Sequence, residues 1–187
     1  MVGATNLVRG VVLVTGIVAV ATGCGPDGGG QPTPSASSTA LPPAPKGFDP
    51  CSDIPQSVLD SEQLHSKDIA DSNGNGGTQW RGCGWVQSDG YAVSIRTTNI
   101  TVQMVRDNKA FQLAEELTIA GRQAVTYHDP DSSKQTRDCL LNVELKGGSV
   151  EFSLINPASN RKTGTMDTCE LAKTLAGKVV PLIPASA

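Results

Sequence analysis

Residues 140–155 have the sequence LLNVELKGGSVEFSLI, and this stretch is the clearest structural signal in the chain. Apolar and polar residues alternate on both sides of Gly147-Gly148, which predicts two strands joined by a tight turn. With these glycines as the turn residues, one side of the hairpin carries three apolar pairs: Leu145 with Val150, Val143 with Phe152 and Leu141 with Leu154. The other side places Glu144 opposite Glu151, so we expect that side to face water.

A second hairpin is predicted over residues 79–97, where Asp89-Gly90 is a strong turn signal. Tyr91 and Val93 begin an alternating apolar run after this turn. A two-residue turn would place Trp85 opposite Ser94. Either the loop is therefore longer, or both faces of this hairpin are partly covered.

Three helices are predicted around these hairpins. The last helix begins at Asp167, which forms a capping-box pattern with Glu170, and it ends at Pro181 and Pro184. A middle helix is predicted over about residues 101–117, a short first helix after Pro55, and a further strand over residues 118–128. The middle helix would bury four apolar residues, Ala110, Leu113, Ala114 and Leu117. This order predicts an α+β fold: an antiparallel sheet of about five to six strands, packed with three helices and held by two disulfides.

The N-terminal segment has the features of an export signal. Arg9 is the only charged residue before an apolar run over residues 11–21, which is too short to span a bilayer. Ala21-Thr22-Gly23-Cys24 resembles the lipobox of bacterial lipoproteins, although leucine is usual at the position of Ala21. We therefore predict a lipoprotein signal peptide over residues 1–23 and lipidation of Cys24. The alternatives are an ordinary signal peptide with a free Cys24, or an uncleaved anchor.

Two further segments follow the signal. Residues 24–46 hold six of the 12 prolines together with Gly, Ser and Thr, a composition that predicts a lipidated cysteine followed by a disordered tether. Residues 47–187 are long enough for a single extracytoplasmic α+β domain with its own core. The chain from Cys24 onward has a formal charge of −4 and no basic run, so a nucleic-acid partner has no electrostatic support.

Four cysteines remain when Cys24 is set aside. Cys51, Cys83, Cys139 and Cys169 allow three disulfide connectivities. We favour Cys51–Cys83 and Cys139–Cys169, because each pair joins the start of a helix to a neighbouring hairpin. A zinc site is the rival interpretation, but no CxxC spacing occurs. We therefore predict no metal and no cofactor.

Several other residues were considered as sites. The sequence from Asp71 to Gly76, DSNGNG, matches the first half of a calcium loop, but its twelfth position is Gly82 instead of glutamate, which favours a polar surface loop. His65 and His128 are the two histidines, and no GxSxG motif accompanies them. Trp80 and Trp85 could pack in the core or form an exposed aromatic patch, and Arg122 could mark a bend or contact a ligand.

A set of short motifs resembles one protein family. The motifs are Phe48-Asp49-Pro50-Cys51, Cys83-Gly84-Trp85, Gly121-Arg122-Gln123-Ala124 and Cys169-Glu170-Leu171-Ala172, in that order. Together they are similar to domain of unknown function 3558, a family of actinobacterial exported lipoproteins, over roughly residues 48–184. The resemblance implies a membrane-anchored domain with paired cysteines, and it implies no catalytic or binding residues.

The anchor, the tether and the domain together predict a lipid-anchored cell-envelope lipoprotein on the extracytoplasmic face of the cell membrane. Its biochemical function is most simply a binding or interaction module for an envelope protein or a small ligand. One alternative is an envelope hydrolase with an unrecognised site around His128. A second alternative is a structural accessory subunit of a membrane complex.

Overall fold

The computed structural model describes residues 40–129 and 137–187, and Cys24 lies outside these residues. Eight antiparallel strands form one sheet in the order β1-β3-β4-β8-β7-β6-β5, with β2 paired to β3. The predicted α+β fold with five to six strands and three helices is wrong, because the described chain is mostly β with a few short helices. The elements are α1 (Pro50–Asp53), α2 (Gln56–Ser61), β1 (Leu64–Ile69), β2 (Ser72–Asn73), β3 (Gln79–Gln87), β4 (Ala92–Thr98), α3 (Val102–Asp107), β5 (Gln112–Ile119), β6 (Arg122–His128), β7 (Asp138–Leu145), β8 (Gly148–Ile155) and α4 (Thr168–Val179), with 3₁₀ turns at Asn75–Gly77 and Val180–Leu182.

The predicted middle helix is the main source of this error. Helix α3 is capped by Thr101 and ends at Asp107, because the chain turns at Asn108. The side-chain oxygen of Asn108 accepts a hydrogen bond from the N–H of Ala110, and its main-chain oxygen accepts one from the N–H of Phe111. The chain then continues as β5, which pairs with β6. Leu113, counted as buried in a helix, is an exposed residue of this edge strand.

The β5–β6 turn holds Ala120 in a left-handed conformation, with φ of 47°, next to Gly121 with φ of 82°. Such two-residue turns favour Asn-Gly, since alanine has a steric cost at positive φ. We expect Ala120→Asn to raise the free energy of unfolding by about 0.5–1 kcal/mol. Urea unfolding of both proteins measures this difference. A decrease in stability would show that this turn does not carry the strain inferred for it.

The quoted hairpin forms, but its register differs from the predicted one by two residues. Leu145 lies opposite Gly148 and Val143 opposite Val150, so Lys146 and Gly147 make the turn. Gly148 belongs to β8, where a side chain would collide with the carbonyl oxygen of Thr98 and with Pro45. A shift of two residues keeps every side chain on its predicted face, so the apolar face still covers the core.

The second hairpin has the longer of the two loops considered from the sequence. The N–H of Gln87 donates to the carbonyl of Tyr91, so residues 88–90 form the loop. Trp85 consequently lies opposite Val93.

One face of the sheet, called here the inner face, carries the main core. Helix α4 packs on it with Leu175, Ala176 and Val179 fully buried. The predicted start of this helix is confirmed, because the Asp167 carboxylate accepts from the N–H of Glu170 at 2.9 Å. The predicted short helix after Pro55 is α2.

Two disulfides join the helices to the sheet. Cys51 of α1 is bonded to Cys83 of β3, and Cys139 of β7 to Cys169 of α4. This is the pairing favoured from the sequence. Cys83 and Cys139 are both completely buried.

Residues 40–46, assigned to the tether from composition, lie against the domain. The side chain of Asn99 donates to the carbonyl of Pro42, and Gln79 accepts from the N–H of Ala44. Ala44 is buried. Within the described ranges, no helix has the length and apolar character needed to cross a membrane.

Candidate functional site

The face of the sheet opposite α4, called here the outer face, carries a cavity of about 640 Å³. Residues of five neighbouring strands, from β3 to β6 in the sheet order, line it on one face, since side chains of a strand point to its two faces in turn. Helix α3 packs on the same face at Val125 of β6. We call this cavity the outer-face pocket. Its charged lining residues are Arg96, Asp129, Arg137, Asp138 and Glu151, and its other lining residues include Trp80, Phe111, Tyr127, Leu140 and Ser153.

A buried ion pair forms one wall of the pocket. Arg96 of β4 and Glu151 of β8 lie opposite each other in the sheet, and their Nη2 and Oε1 atoms are 2.5 Å apart. The second carboxylate oxygen of Glu151 accepts from the indole N–H of Trp80 at 3.2 Å. The guanidinium also lies 5.7 Å from the centroid of the Trp80 ring, within the range of a cation–π contact. Glu151 is only 2% exposed, so the prediction that this side faces water is wrong at Glu151, whereas Glu144 is exposed.

Two polar atoms of the pocket residues are buried without a hydrogen-bond partner in the part of the chain that the structure describes. They are Nε of Arg96 and Oδ1 of Asp138. A buried donor or acceptor left unpaired costs about 1–3 kcal/mol. Both atoms are enclosed by protein, so a molecule in the pocket reaches them only if a side chain moves.

The floor beneath the ion pair is a chain of hydrogen bonds. The Tyr127 hydroxyl donates to Asn142 Oδ1, the Asn142 amide donates to Ser149 Oγ, and the Ser149 hydroxyl donates to the carbonyl of Ile100. Asn142 is completely buried. Because every member is satisfied, this chain holds the pocket in one geometry.

Burial raises the pKa of the Tyr127 phenol well above its usual value, and the nearby Glu151 charge raises it further. Burial, followed by the charge and hydrogen bond of Glu62, also raises the pKa of Tyr91. Both phenols are therefore neutral donors at physiological pH. Tyr127 has its proton engaged with Asn142, so it is a structural member of the pocket wall.

These shifts predict a specific alkaline titration, because Tyr91 and Tyr127 are the only tyrosines in the chain. Tyrosines ionise near pH 10 in the unfolded chain but at higher pH in the folded one. Their stabilising contribution is thus complete below pH 10 and is lost as the pH rises above it, by about 1.4 kcal/mol per pH unit for each tyrosine. We expect phenolate absorbance at 295 nm to rise only together with loss of circular dichroism. Phenolate formation near pH 10 in the folded protein would contradict this result.

A family comparison covers both the domain and the segment before it. The model of the family described as "Protein of unknown function (DUF3558)" matches residues 19–182, a range that includes all five cysteines. The chain belongs to this family. No curated protein and no solved structure matches it.

In this DUF3558 domain the two tryptophans have different roles. Trp80 lines the outer-face pocket, whereas Trp85 is buried in the inner-face core. The core interpretation therefore applies to Trp85, and Trp80 is a partly buried residue of the pocket wall.

The histidines of the DUF3558 domain do not meet. The ring nitrogens of His65 lie 2.9 Å from the Ser66 hydroxyl and 2.8 Å from the Ser88 hydroxyl, on an exposed hairpin end. His128 Nδ1 lies 2.9 Å from the main-chain oxygen of Asp138. Both ring nitrogens of His65 are therefore bonded to hydroxyl groups, and Nδ1 of His128 is bonded to a carbonyl oxygen. In a Ser-His-Asp triad, Nδ1 is instead hydrogen-bonded to a carboxylate. Neither histidine has that partner.

The calcium-like segment has a structural role. Asp71 accepts from the main-chain N–H of Gly82, and Asn73 accepts from the guanidinium of Arg81. These oxygens are therefore engaged within the protein. In the described ranges, no group of three or more His, Cys, Asp or Glu side chains could hold a metal ion.

Arg122 ties the C-terminal residues to the sheet. Its guanidinium donates to the main-chain oxygens of Glu144, Pro184 and Ala187. These contacts give Arg122 a structural role at the end of β6.

Sequence reasoning missed Arg96 and Glu151 as functional candidates. Each is a charged residue within a predicted strand, and Glu151 was assigned to a water-exposed side. A signal was available, because both lie among β-forming residues on the polar side of a predicted hairpin. Their pairing was not visible, since it requires β4 and β8 to be neighbours in the sheet.

Proposed function

We propose that this protein is a lipid-anchored cell-envelope module whose extracytoplasmic domain binds a small ligand in the outer-face pocket. The observation that carries the proposal is the Arg96–Glu151 ion pair, which lines the cavity together with Trp80 and several apolar side chains. Ligand sites are typically cavities of 300–1,000 Å³ with apolar walls and a few fixed polar groups. The outer-face pocket has this size and composition.

The ion pair itself supports a role in binding. A buried ion pair often contributes no more stability than apolar residues of similar size, because both charges lose their hydration. Its presence on a cavity wall therefore favours a function that needs a fixed charge. Glu151 holds the Arg96 side chain in place, so the guanidinium is positioned at the pocket wall before a ligand binds.

The evidence for the lipid anchor comes from the sequence alone. Residues 21–24 resemble a lipobox, five is an odd cysteine count, and Cys24 is the residue left when the four domain cysteines pair. Two or three acyl chains on Cys24 would hold the protein stably at the membrane. Palmitate labelling in the native host tests this part of the proposal: we expect a labelled wild type and an unlabelled Cys24→Ala variant. Label on the variant would contradict it.

Trp80 supplies a local probe for ligand binding. Its indole N–H donates to Glu151 in the pocket wall, while the Trp85 side chain lies in the core. The two indole signals in a nitrogen–proton NMR spectrum therefore act as probe and reference. We expect an organic extract of the host envelope, added to the exported full chain in detergent, to shift the Trp80 signal and leave the Trp85 signal in place.

Matched variants locate the effect. Ser153→Phe places a large side chain into the pocket, and Thr174→Phe adds the same side chain on an exposed position of α4. The shift should be absent in Ser153→Phe and present in Thr174→Phe. An unmoved Trp80 signal in the wild type, or an equal shift in both variants, would overturn the pocket as the binding site.

A further inference from the structure

The calcium-like segment contains the dipeptide Asn-Gly twice, at Asn73-Gly74 and at Asn75-Gly76. In such a pair the main-chain nitrogen of glycine can attack the side-chain amide carbon of asparagine, because glycine has no Cβ to hinder the approach. The glycine nitrogen loses its proton, the new C–N bond closes a succinimide ring, and the amide nitrogen leaves as ammonia. Water then opens the ring at either carbonyl, which yields aspartate or isoaspartate.

The structure restrains the first of the two pairs. Asn73 lies in β2, and its Oδ1 accepts from the guanidinium of Arg81 at 2.7 Å. The N–H of Gly74 donates to the carbonyl of Thr78 at 2.9 Å. A Cβ placed on Gly74 would meet the Trp80 ring at 3.0 Å, so the space beside this glycine is filled. Ring closure at Asn73 therefore requires these contacts to break.

The second pair lies in open surroundings. Asn75 and Gly76 are both exposed, and a Cβ placed on Gly76 would meet no atom within 4 Å. Thr78 bonds to the main-chain oxygen of Asn75, which leaves the Asn75 side-chain amide free to turn towards Gly76. We propose that Asn75 is a site of spontaneous deamidation in the folded protein, whereas Asn73 is protected.

Deamidation at Asn75 changes the support of residues 40–46. The carbonyl of Gly76 accepts from the N–H of Leu41, and the carbonyl of Gly77 accepts from the side chain of Asn99. Isoaspartate adds a methylene group to the main chain directly before Gly76, together with a negative charge. Both carbonyls therefore shift, and the modified domain holds residues 40–46 less firmly.

Ageing of the exported full chain in detergent tests the site. The folded protein is incubated at 37 °C and pH 8, beside a reduced sample in guanidinium chloride. Trypsin cleaves after Lys67 and Arg81, so one peptide carries both pairs, and its fragmentation separates the products at Asn73 and Asn75. In denaturant the two asparagines should react at similar rates, because glycine follows each of them. In the folded protein Asn75 should react about tenfold faster, because the hydrogen bonds that restrain the first pair must break before its ring closes.

Matched variants assign the reaction and its effect. Asn75→Gln should abolish the product at position 75, because glutamine must close a larger ring, and Asn73→Gln should leave that product unchanged. Circular dichroism confirms that both variants are folded. Hydrogen exchange of residues 40–46 should become faster in the aged wild type and stay unchanged in aged Asn75→Gln. Similar rates at the two asparagines in the folded protein, a faster reaction at Asn73, or no reaction at either would overturn the site. Unchanged exchange in deamidated protein would overturn its effect on residues 40–46.

Discussion

Glu151→Ala is expected to lower the free energy of unfolding by about 3 kcal/mol. The substitution removes the only ion-pair partner of Arg96 among the described residues and the acceptor of the Trp80 indole. Breaking a buried ion pair by removing one partner typically costs 3–5 kcal/mol, because the other charge is left uncompensated. Arg96 keeps about a fifth of its side chain exposed, which places the expected loss at the lower end. Urea unfolding followed by circular dichroism measures it.

The double variant Arg96→Met Glu151→Leu provides the decisive contrast. It removes both charges and keeps similar side-chain volume, so its stability should lie within about 1 kcal/mol of the wild type. Glu144→Ala, an exposed change on the neighbouring strand, is the control and should alter stability by no more than about 0.5 kcal/mol. A double variant as unstable as Glu151→Ala would mean that the ion pair is needed for stability, which would remove the argument that it serves binding.

Removal of either disulfide is expected to lower stability by about 3–4 kcal/mol. The bonds close loops with sequence separations of 32 and 30 residues, and the chain-entropy model gives this value for each. Removing both would consume most of the 5–15 kcal/mol that keeps an ordinary domain folded. We therefore expect the variant with all four domain cysteines replaced by alanine to be largely unfolded at 37 °C.

The two disulfides are compared by urea unfolding of Cys51→Ala Cys83→Ala and of Cys139→Ala Cys169→Ala. Wild-type protein with a reducing agent serves as the matched control and should behave like the variant lacking both bonds. A loss below about 1 kcal/mol in either double variant would show that the corresponding bond does not restrain the unfolded chain as proposed.

The sequence predicted hairpins and helix caps correctly, because the residues that determine them are close together in the chain. The hairpin around Gly147 and the capped helix at Asp167 follow from alternation and capping, and both are present. The register of the hairpin was wrong by two residues, because two adjacent glycines allow either pair of positions to form the turn. Each side chain still lies on the face of the sheet predicted for it, since side chains alternate between the two faces with a period of two residues.

Residues 108–119 show where such patterns fail. Apolar residues at helical spacing in this segment predicted a helix, but the segment is an edge strand that pairs with β6. Edge strands face water on much of their surface and do not need strict alternation. Whether this segment forms a helix or a strand depends on its pairing with β6, and the residues within the segment do not contain that information.

The pocket could be predicted only in part. Trp80 was a candidate because the two tryptophans flank Arg81 and Cys83 and could form an exposed aromatic patch. Arg96, Asp138 and Glu151 come from three different strands, and their proximity follows from the strand order β4-β8-β7. Sequence separation of more than 40 residues between Arg96 and the other two hides this arrangement until the sheet is known.

Native mass spectrometry of the protein released gently from envelope membranes tests the central claim most directly. The claim is that the Arg96–Glu151 pair serves a ligand in the outer-face pocket. The wild type is predicted to retain a small non-covalent adduct, and the folded Arg96→Met Glu151→Leu variant is predicted to carry none. The same adduct on both proteins, or no adduct on either, would contradict the account.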